Sequence, residues 1–123
     1  SKPRLLIWML TRMTMGSEIV SVRQFRKMGV DAMLDRVPEG ARYYVTIDID
    51  GFDPSIAAGT GTPSHGGFLY YEVLEFLDGL TRRGKIVGVD LVEVAPDYDL
   101  SGSTTTLAAQ LLLNLIGRIA ENR

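Results

Sequence analysis

Hydrophobic positions along this chain follow two periods, and each change of period marks an element. From Tyr43 to Ile47 aromatic and β-branched side chains run together without a helical repeat, which is strand composition. Further on the spacing lengthens. Leu69, Val73, Phe76, Leu77 and Leu80 recur at helical intervals, with Glu72, Glu75, Asp78 and Arg82 towards the other side. This predicts an amphipathic helix lying on a sheet, ended by Gly84. Ile86 to Val94, IVGVDLVEV, returns to a nearly continuous apolar run. It predicts a second central strand, buried on both faces except at Asp90 and Glu93. These two differ by three positions and would face opposite ways.

The flanks are read in the same manner. Leu5 to Leu10, LLIWML, predicts a strand because helix-capping signals come only later. Met13 and Met15, close to Trp8, read as packing residues. Ser21 caps a helix in which Gln24 completes a capping box and Val22, Phe25 and Met28 form the apolar side. Gly29 ends that turn, 30–37 fits a further short helix, and Pro38-Glu39-Gly40 turns the chain into the first strand. At the other end Ser101 or Ser103 caps a last helix over approximately 104–121. There Gln110, Asn114 and Arg118 form a polar stripe, and the remaining apolar surface is wide enough to cover a sheet or a subunit neighbour. Strand, helix, strand, helix in this order predicts an α/β fold with a mostly parallel sheet between helices. With no repeat and no break in composition, 1–123 reads as a single domain.

Candidate chemistry gathers where the first strand stops. Asp48, Asp50 and Asp53 follow it, and then comes the loop IAAGTGTPSHGG. In extended backbone Asp48 and Asp50 project from one face. In a crevice such carboxylates oppose each other unless a cation joins them, so metal binding is one reading and ordinary solvated turn residues the other. Loops that leave strand ends are where α/β proteins place ligand contacts, and Glu93 lies nearest the corresponding end of the second strand. His65, the only histidine, reads as a solvated loop residue.

Composition removes several classes. The 123 residues carry a formal charge of -2, and Arg23, Arg26 and Lys27 make only a small basic cluster, so no nucleic-acid partner is indicated. The absence of cysteine excludes disulfides, thiolate zinc sites and a cysteine nucleophile. The apolar run at 5–10 is far short of the ~20 residues of a membrane span, and no cleavable signal pattern follows it. The expected location is cytoplasmic.

Taken together, VTIDIDGFDPSIAAGTGTPSHGG, GVDLVEVAPDYDLSG and the Thr-rich start of the last helix resemble the carboxyl-terminal part of the ureohydrolases. This is the arginase, agmatinase and guanidinobutyrase family of binuclear manganese enzymes. The resemblance covers 42–120 well and 1–40 loosely. It implies an arginase-like three-layer α/β/α fold, of which this chain is the carboxyl-terminal portion. It implies that Asp48 and Asp50 bind Mn²⁺, that Glu93 pairs with the substrate guanidinium, and that Thr62 and Gly61 line the substrate pocket. Asp53 and Asp90 would be structural. The implied reaction is hydrolysis of a small cationic guanidino compound to an amine and urea, by hydroxide generated at the metal pair. The closeness of GTGTPSHGG to the agmatinase-like branch points to an agmatine-like substrate.

The family's amino-terminal portion supplies a histidine and an HxDxHxD cluster that complete the metal site, and this sequence has neither. The chain is therefore expected to be a piece of a larger domain, partnered by copies of itself or by a complementing amino-terminal chain. Two other readings stand beside this one. The chain is a non-catalytic fragment or partner subunit with a vestigial metal site, or DIDG marks a phosphatase of the haloacid-dehalogenase type. In the latter Asp48 is the nucleophile, Asp50 the acid/base and Mg²⁺ the cofactor, but Phe52 stands where that family has Thr or Ser.

Overall fold

A computed structural model describes residues 18–122. The strand expected at Leu5–Leu10 and the methionine cluster after it lie outside the described residues. Helix α1 (Val22–Asp35) starts as the sequence predicts. Gln24 N–H donates to Ser21 Oγ at 3.2 Å, and Ser21 N–H donates back to Gln24 Oε1 at 2.8 Å. Gly29 ends the first helical segment as expected. Its backbone (φ 82°, ψ 168°) leaves the spiral, and a second segment resumes after it, where a further short helix was expected, so that α1 is two helical pieces meeting at a kink.

Strand β1 (Arg42–Asp48), helix α2 (Tyr70–Arg83) and strand β2 (Lys85–Val92) then form a parallel β–α–β unit, followed by helix α3 (Ser103–Glu121). Gly84 does end α2, its N–H donating to Leu80 O at 3.2 Å. Tyr43, Val45 and Ile47 point from β1 into a single core, where they meet Phe25 of α1, Phe76 and Leu80 of α2, and Leu111 and Leu115 of α3. Phe25 packs edge-on against Phe68 and Phe76, at centroid distances of 5.2 and 6.2 Å. The apolar side of α3 is thus used on α2 and the core, while Leu113 and Ile116 stay exposed.

The opposite face of the sheet is more open. Tyr44 lies across Gly88, which has no room for a Cβ, and its hydroxyl donates to Asp90 Oδ2 at 2.9 Å. Thr46 Oγ1 also donates to that oxygen, at 3.4 Å. Asp90 is thereby tied to the neighbouring strand, in keeping with a structural role. The expectation that β2 is buried on both faces is not met. Only Ile86 is buried, and Val87 and Val92 are exposed by 45% and 39%. Among the described residues the sheet has two strands, so β2 has an unpaired edge and one face without a covering layer. The strand also stops at Val92, which leaves Glu93 beyond the reach of a two-residue alternation argument.

Candidate active site

The two strands end side by side, with Asp48 paired in register with Val92, so whatever follows each strand emerges at the same end of the sheet. After Asp48 the chain does not stay extended. Ile49–Gly51 form one turn of 3₁₀ helix, and Asp48 Oδ1 caps it by accepting the Asp50 N–H at 3.0 Å. The pleat-based argument for two carboxylates on one face is therefore corrected. Asp48 and Asp50 are brought together by a tight turn, because Ile49 between them is driven into the core and is fully buried.

This turn has an electrostatic consequence. Burial pushes the Asp48 carboxyl up to about 6. The Asp50 N–H opposes that rise, whereas the negative charges of Asp50 and Glu93 add to it. Asp50 is oriented by Thr62, whose hydroxyl donates to Asp50 Oδ2 at 2.8 Å. Thr62 thus joins the site as a support for a carboxylate. Gly61, exposed beside it, faces open space. His65 is exposed, as expected of a loop residue.

Glu93 takes its place differently. It is exposed, and with φ of 69° it is the one non-glycine residue with positive φ among the described residues. A side chain held in that region costs on the order of 1–3 kcal/mol and persists only where the surroundings over-determine it. The sequence signals the carboxylate here but not the backbone state.

The loop between β1 and α2 is fixed at both ends by residues that spacing alone left as surface. Asp53 Oδ1 accepts from Gly66 N–H at 3.0 Å and Gly67 N–H at 3.2 Å, and its other oxygen takes Ser55 N–H and Oγ–H. These donors, Ser55 first, hold its carboxyl below the usual range. Arg26, grouped by sequence into a small basic cluster, reaches from α1 to Gly67 O at 2.9 Å while gripping both oxygens of Glu72. A Cβ on Gly67 would collide with the backbone of Phe52 and Asp53. At the other limb Gly59 N–H donates to Thr104 Oγ1 at 2.8 Å, and Gly59 O accepts from Ala95 N–H at 2.8 Å. Asp99 caps α3 through Thr104 N–H at 2.7 Å, with Ser101 Oγ taking Ser103 N–H at 3.1 Å. The N-cap position itself is Gly102, in a left-handed conformation, and not Ser101 or Ser103 as expected. Ser101 bonds the first turn from the residue before it, and Asp99, which reaches five residues along the chain, was not legible at all.

A cavity of about 410 Å³ lies at the far end of β2, lined by Thr81, Gly84, Lys85, Ile86, Ile119 and Asn122. It holds no carboxylate and is remote from the strand ends, so it is set apart from the candidate site. Carboxylate oxygens at Asp48 and Asp50 suit a hard divalent cation, and a cation there would relieve the mutual repulsion that raises Asp48. Two residues make only part of such a site. Among the described residues no three His, Cys, Asp or Glu side chains come together closely enough to hold a metal ion.

The sequence profile of the Arginase family matches residues 9–117. The chain belongs to the arginase family. It is 40% identical over 105 residues to an agmatinase of Pyrococcus horikoshii, covering 85% of this chain and 36% of that protein. To a guanidinopropionase of Pseudomonas aeruginosa it is 36% identical over 110 residues, covering 87% of this chain and 34% of the relative. Among solved structures it resembles the proclavaminate amidino hydrolase of Streptomyces clavuligerus, with a TM-score of 0.78 and 37% identity over 85% of this chain and 36% of that one. The fold is therefore arginase-like α/β, and the chain spans about a third of the length of each of these three proteins. Membership sets aside the phosphatase reading of DIDG.

Proposed function

We propose that this chain carries the carboxyl-terminal part of a centre for Mn²⁺-dependent hydrolysis of a guanidino compound, agmatine-like in class, to an amine and urea. The observation that carries the reading is the meeting of Asp48, Asp50 and Glu93 at one end of the sheet, where the charges of the other two are felt at Asp48. Asp48 and Asp50 would hold the metal through their oxygens. When bound, a divalent pair supplies a water of lowered pKa as nucleophile. Thr62 keeps the Asp50 carboxylate turned to one side through its hydrogen bond. Glu93, exposed at the neighbouring strand end, accepts charge-assisted hydrogen bonds from the guanidinium N–H groups and draws the cation to the site. Gly61 leaves open space beside Thr62 for the substrate.

The donor set of this chain supports incompleteness as well as chemistry. Copies of this chain, or a complementing amino-terminal polypeptide, would pair with the free strand edges and supply further ligands. The exposed Val87, Val92, Leu113 and Ile116 are suited to such contacts. The non-catalytic reading is kept for the same reason, the lack of a third ligand among the described residues.

Calorimetry with Mn²⁺ on the 123-residue chain and on Asp48→Asn tests the metal half of the reading. Weak binding that the substitution abolishes is the expected result. Submicromolar affinity, or affinity untouched by the substitution, would place the metal elsewhere. Urea release after adding an excess of the complementing chain with Mn²⁺ separates the catalytic reading from the non-catalytic one.

A further inference from the structure

Gly59 is the point where the two sides of the candidate site meet. Three residues after it comes Thr62, which holds Asp50. Its carbonyl receives the N–H of Ala95, two residues after Glu93. Its own N–H is taken by Thr104. One residue thus touches the loop of the metal carboxylates, the loop of the substrate carboxylate and the first turn of α3. No Cβ fits at Gly59, since one would fall 2.7 Å from Asp99 Cβ and 2.9 Å from Thr104 Oγ1.

Thr104 is fully buried, with 0% of its surface exposed. A buried hydroxyl is unfavourable unless it is bonded, and valine would fill the same volume without that burden. Here the hydroxyl accepts the Gly59 N–H at 2.8 Å, while the Thr104 N–H is held by the Asp99 carboxylate at 2.7 Å. Glu93 meanwhile sits in a backbone state that its own residue type disfavours, with the chain held one residue before it by the Val92–Asp48 pairing and two residues after it by the contact between Ala95 N–H and Gly59 O.

We propose that Thr104 is a positioning residue: by fixing Gly59 it fixes Ala95, and so holds Glu93 in its left-handed conformation alongside the Asp48–Asp50 pair. The inference rests on the reading of those three carboxylates as one centre. Thr104 does not itself touch substrate or metal. Its hydroxyl sets the relation between the part of the site that holds metal and the part that holds the guanidinium.

Nuclear magnetic resonance on the 123-residue chain tests this without metal, comparing wild type with Thr104→Val and Thr104→Ser. In wild type and Thr104→Ser the Gly59 and Ala95 amides exchange slowly and together. In Thr104→Val both lose protection by about tenfold, the scale of one hydrogen bond, and the φ-sensitive coupling of Glu93 leaves its left-handed value. A variant lacking only some packing would not be rescued by serine in this way. Loss of protection at Gly59 alone, with Ala95 and Glu93 unchanged, overturns the proposal. If Thr104→Val does not fold, wild type decides. A shared opening of the Gly59 and Ala95 amides in native-state exchange supports the coupling, and independent openings overturn it. Added Mn²⁺ forms a separate arm. Wild-type resonances of Asp48 and Asp50 that stay sharp would refute the proposed metal site while leaving the metal-free result on Thr104 to stand or fall by itself.

Discussion

The ends of β1 and β2 both present a carboxylate, and they do so by opposite means. At β1 the side chains are set by local bonding. Asp48 caps its own turn, Ile49 anchors that turn in the core, and Thr62 holds Asp50. At β2 the carboxylate is exposed and its direction is set by the backbone of Glu93, held from a distance through Ala95 and Gly59. The first arrangement concentrates negative charge where solvent is reduced and so calls for a cation. The second leaves a solvated charge at a fixed angle, suited to a cationic ligand that arrives and departs.

The largest effect that would break this contrast comes from the β1 end. Asp48→Ala should lower urea release from a guanidino substrate, measured with the complementing chain and Mn²⁺ present, by more than the roughly 10–100-fold typical of residues that only support a metal ligand. His65→Ala, in the same assay, should leave the rate within about twofold, as do most exposed loop positions. A large loss with His65→Ala would mean that the glycine loop brings its histidine into the chemistry.

Next in size are two substitutions that should separate metal from substrate. Thr62→Val removes the support of Asp50 and should weaken Mn²⁺ binding by about tenfold or more. Glu93→Gln should leave Mn²⁺ affinity nearly unchanged but raise KM by about 10–100-fold, the scale of hydrogen bonds to a charged group. Equal effects of both on metal affinity would show that Glu93 belongs with the metal carboxylates and that the two ends are not distinct.

The two ends also differ in how far the sequence revealed them. β1, β2, α2 with its Gly84 stop, and the Ser21–Gln24 box were legible because hydrophobic period and capping act over a few residues. The acidic strand end was legible as chemistry, yet its geometry was not, because burial of Ile49 overrides the extended pleat. Gly29 was legible as a stop too: its backbone leaves the helix there, and the second helical segment that follows carries the core residue Met33. The half-exposed state of β2 could not be read from IVGVDLVEV, since that composition expresses what the strand can bury and not which neighbours it has. Thr104, Asp99 and Arg26 act across 5 to 46 positions in sequence. In a single sequence a buried threonine in a Thr-rich cap looks like any other.

Proton binding offers a smaller and more graded test of the β1 end. The folded Asp48 carboxyl, at about 6, lies above the unfolded value of 3.8. Between those values the folded state holds more protons than the unfolded one, so this group favours folding most below pH 3.8 and loses that contribution as pH rises through about 6. In metal-free protein, Asp48→Asn should therefore raise the melting temperature by a few degrees at pH 7 and by less at pH 4. Mn²⁺ should reverse the preference, because it binds the deprotonated pair and its affinity should grow through the same window. A melting temperature for Asp48→Asn below wild type at pH 7 without metal would show that the Asp50 N–H bond outweighs burial and repulsion.

The smallest expected effect isolates backbone strain at the β2 end. Alanine is normally more stable than glycine in folded structure, because glycine gains more entropy on unfolding, by about 0.4–1 kcal/mol. At Glu93 that order should invert. A Cβ in the left-handed region costs about 1–2 kcal/mol, so Glu93→Gly relieves it whereas Glu93→Ala retains it. Glycine should come out ahead by up to about 1 kcal/mol in urea unfolding. Asp50 supplies the control at the β1 end. It sits in a right-handed turn, and there Asp50→Ala should be the more stable of the pair, the usual order. If both positions show the usual order, Glu93 carries no strain and its direction is set by its side chain, as at Asp48. If only Glu93 inverts, the two strand ends place their carboxylates by different physics, one through side-chain bonds and the other through an enforced backbone.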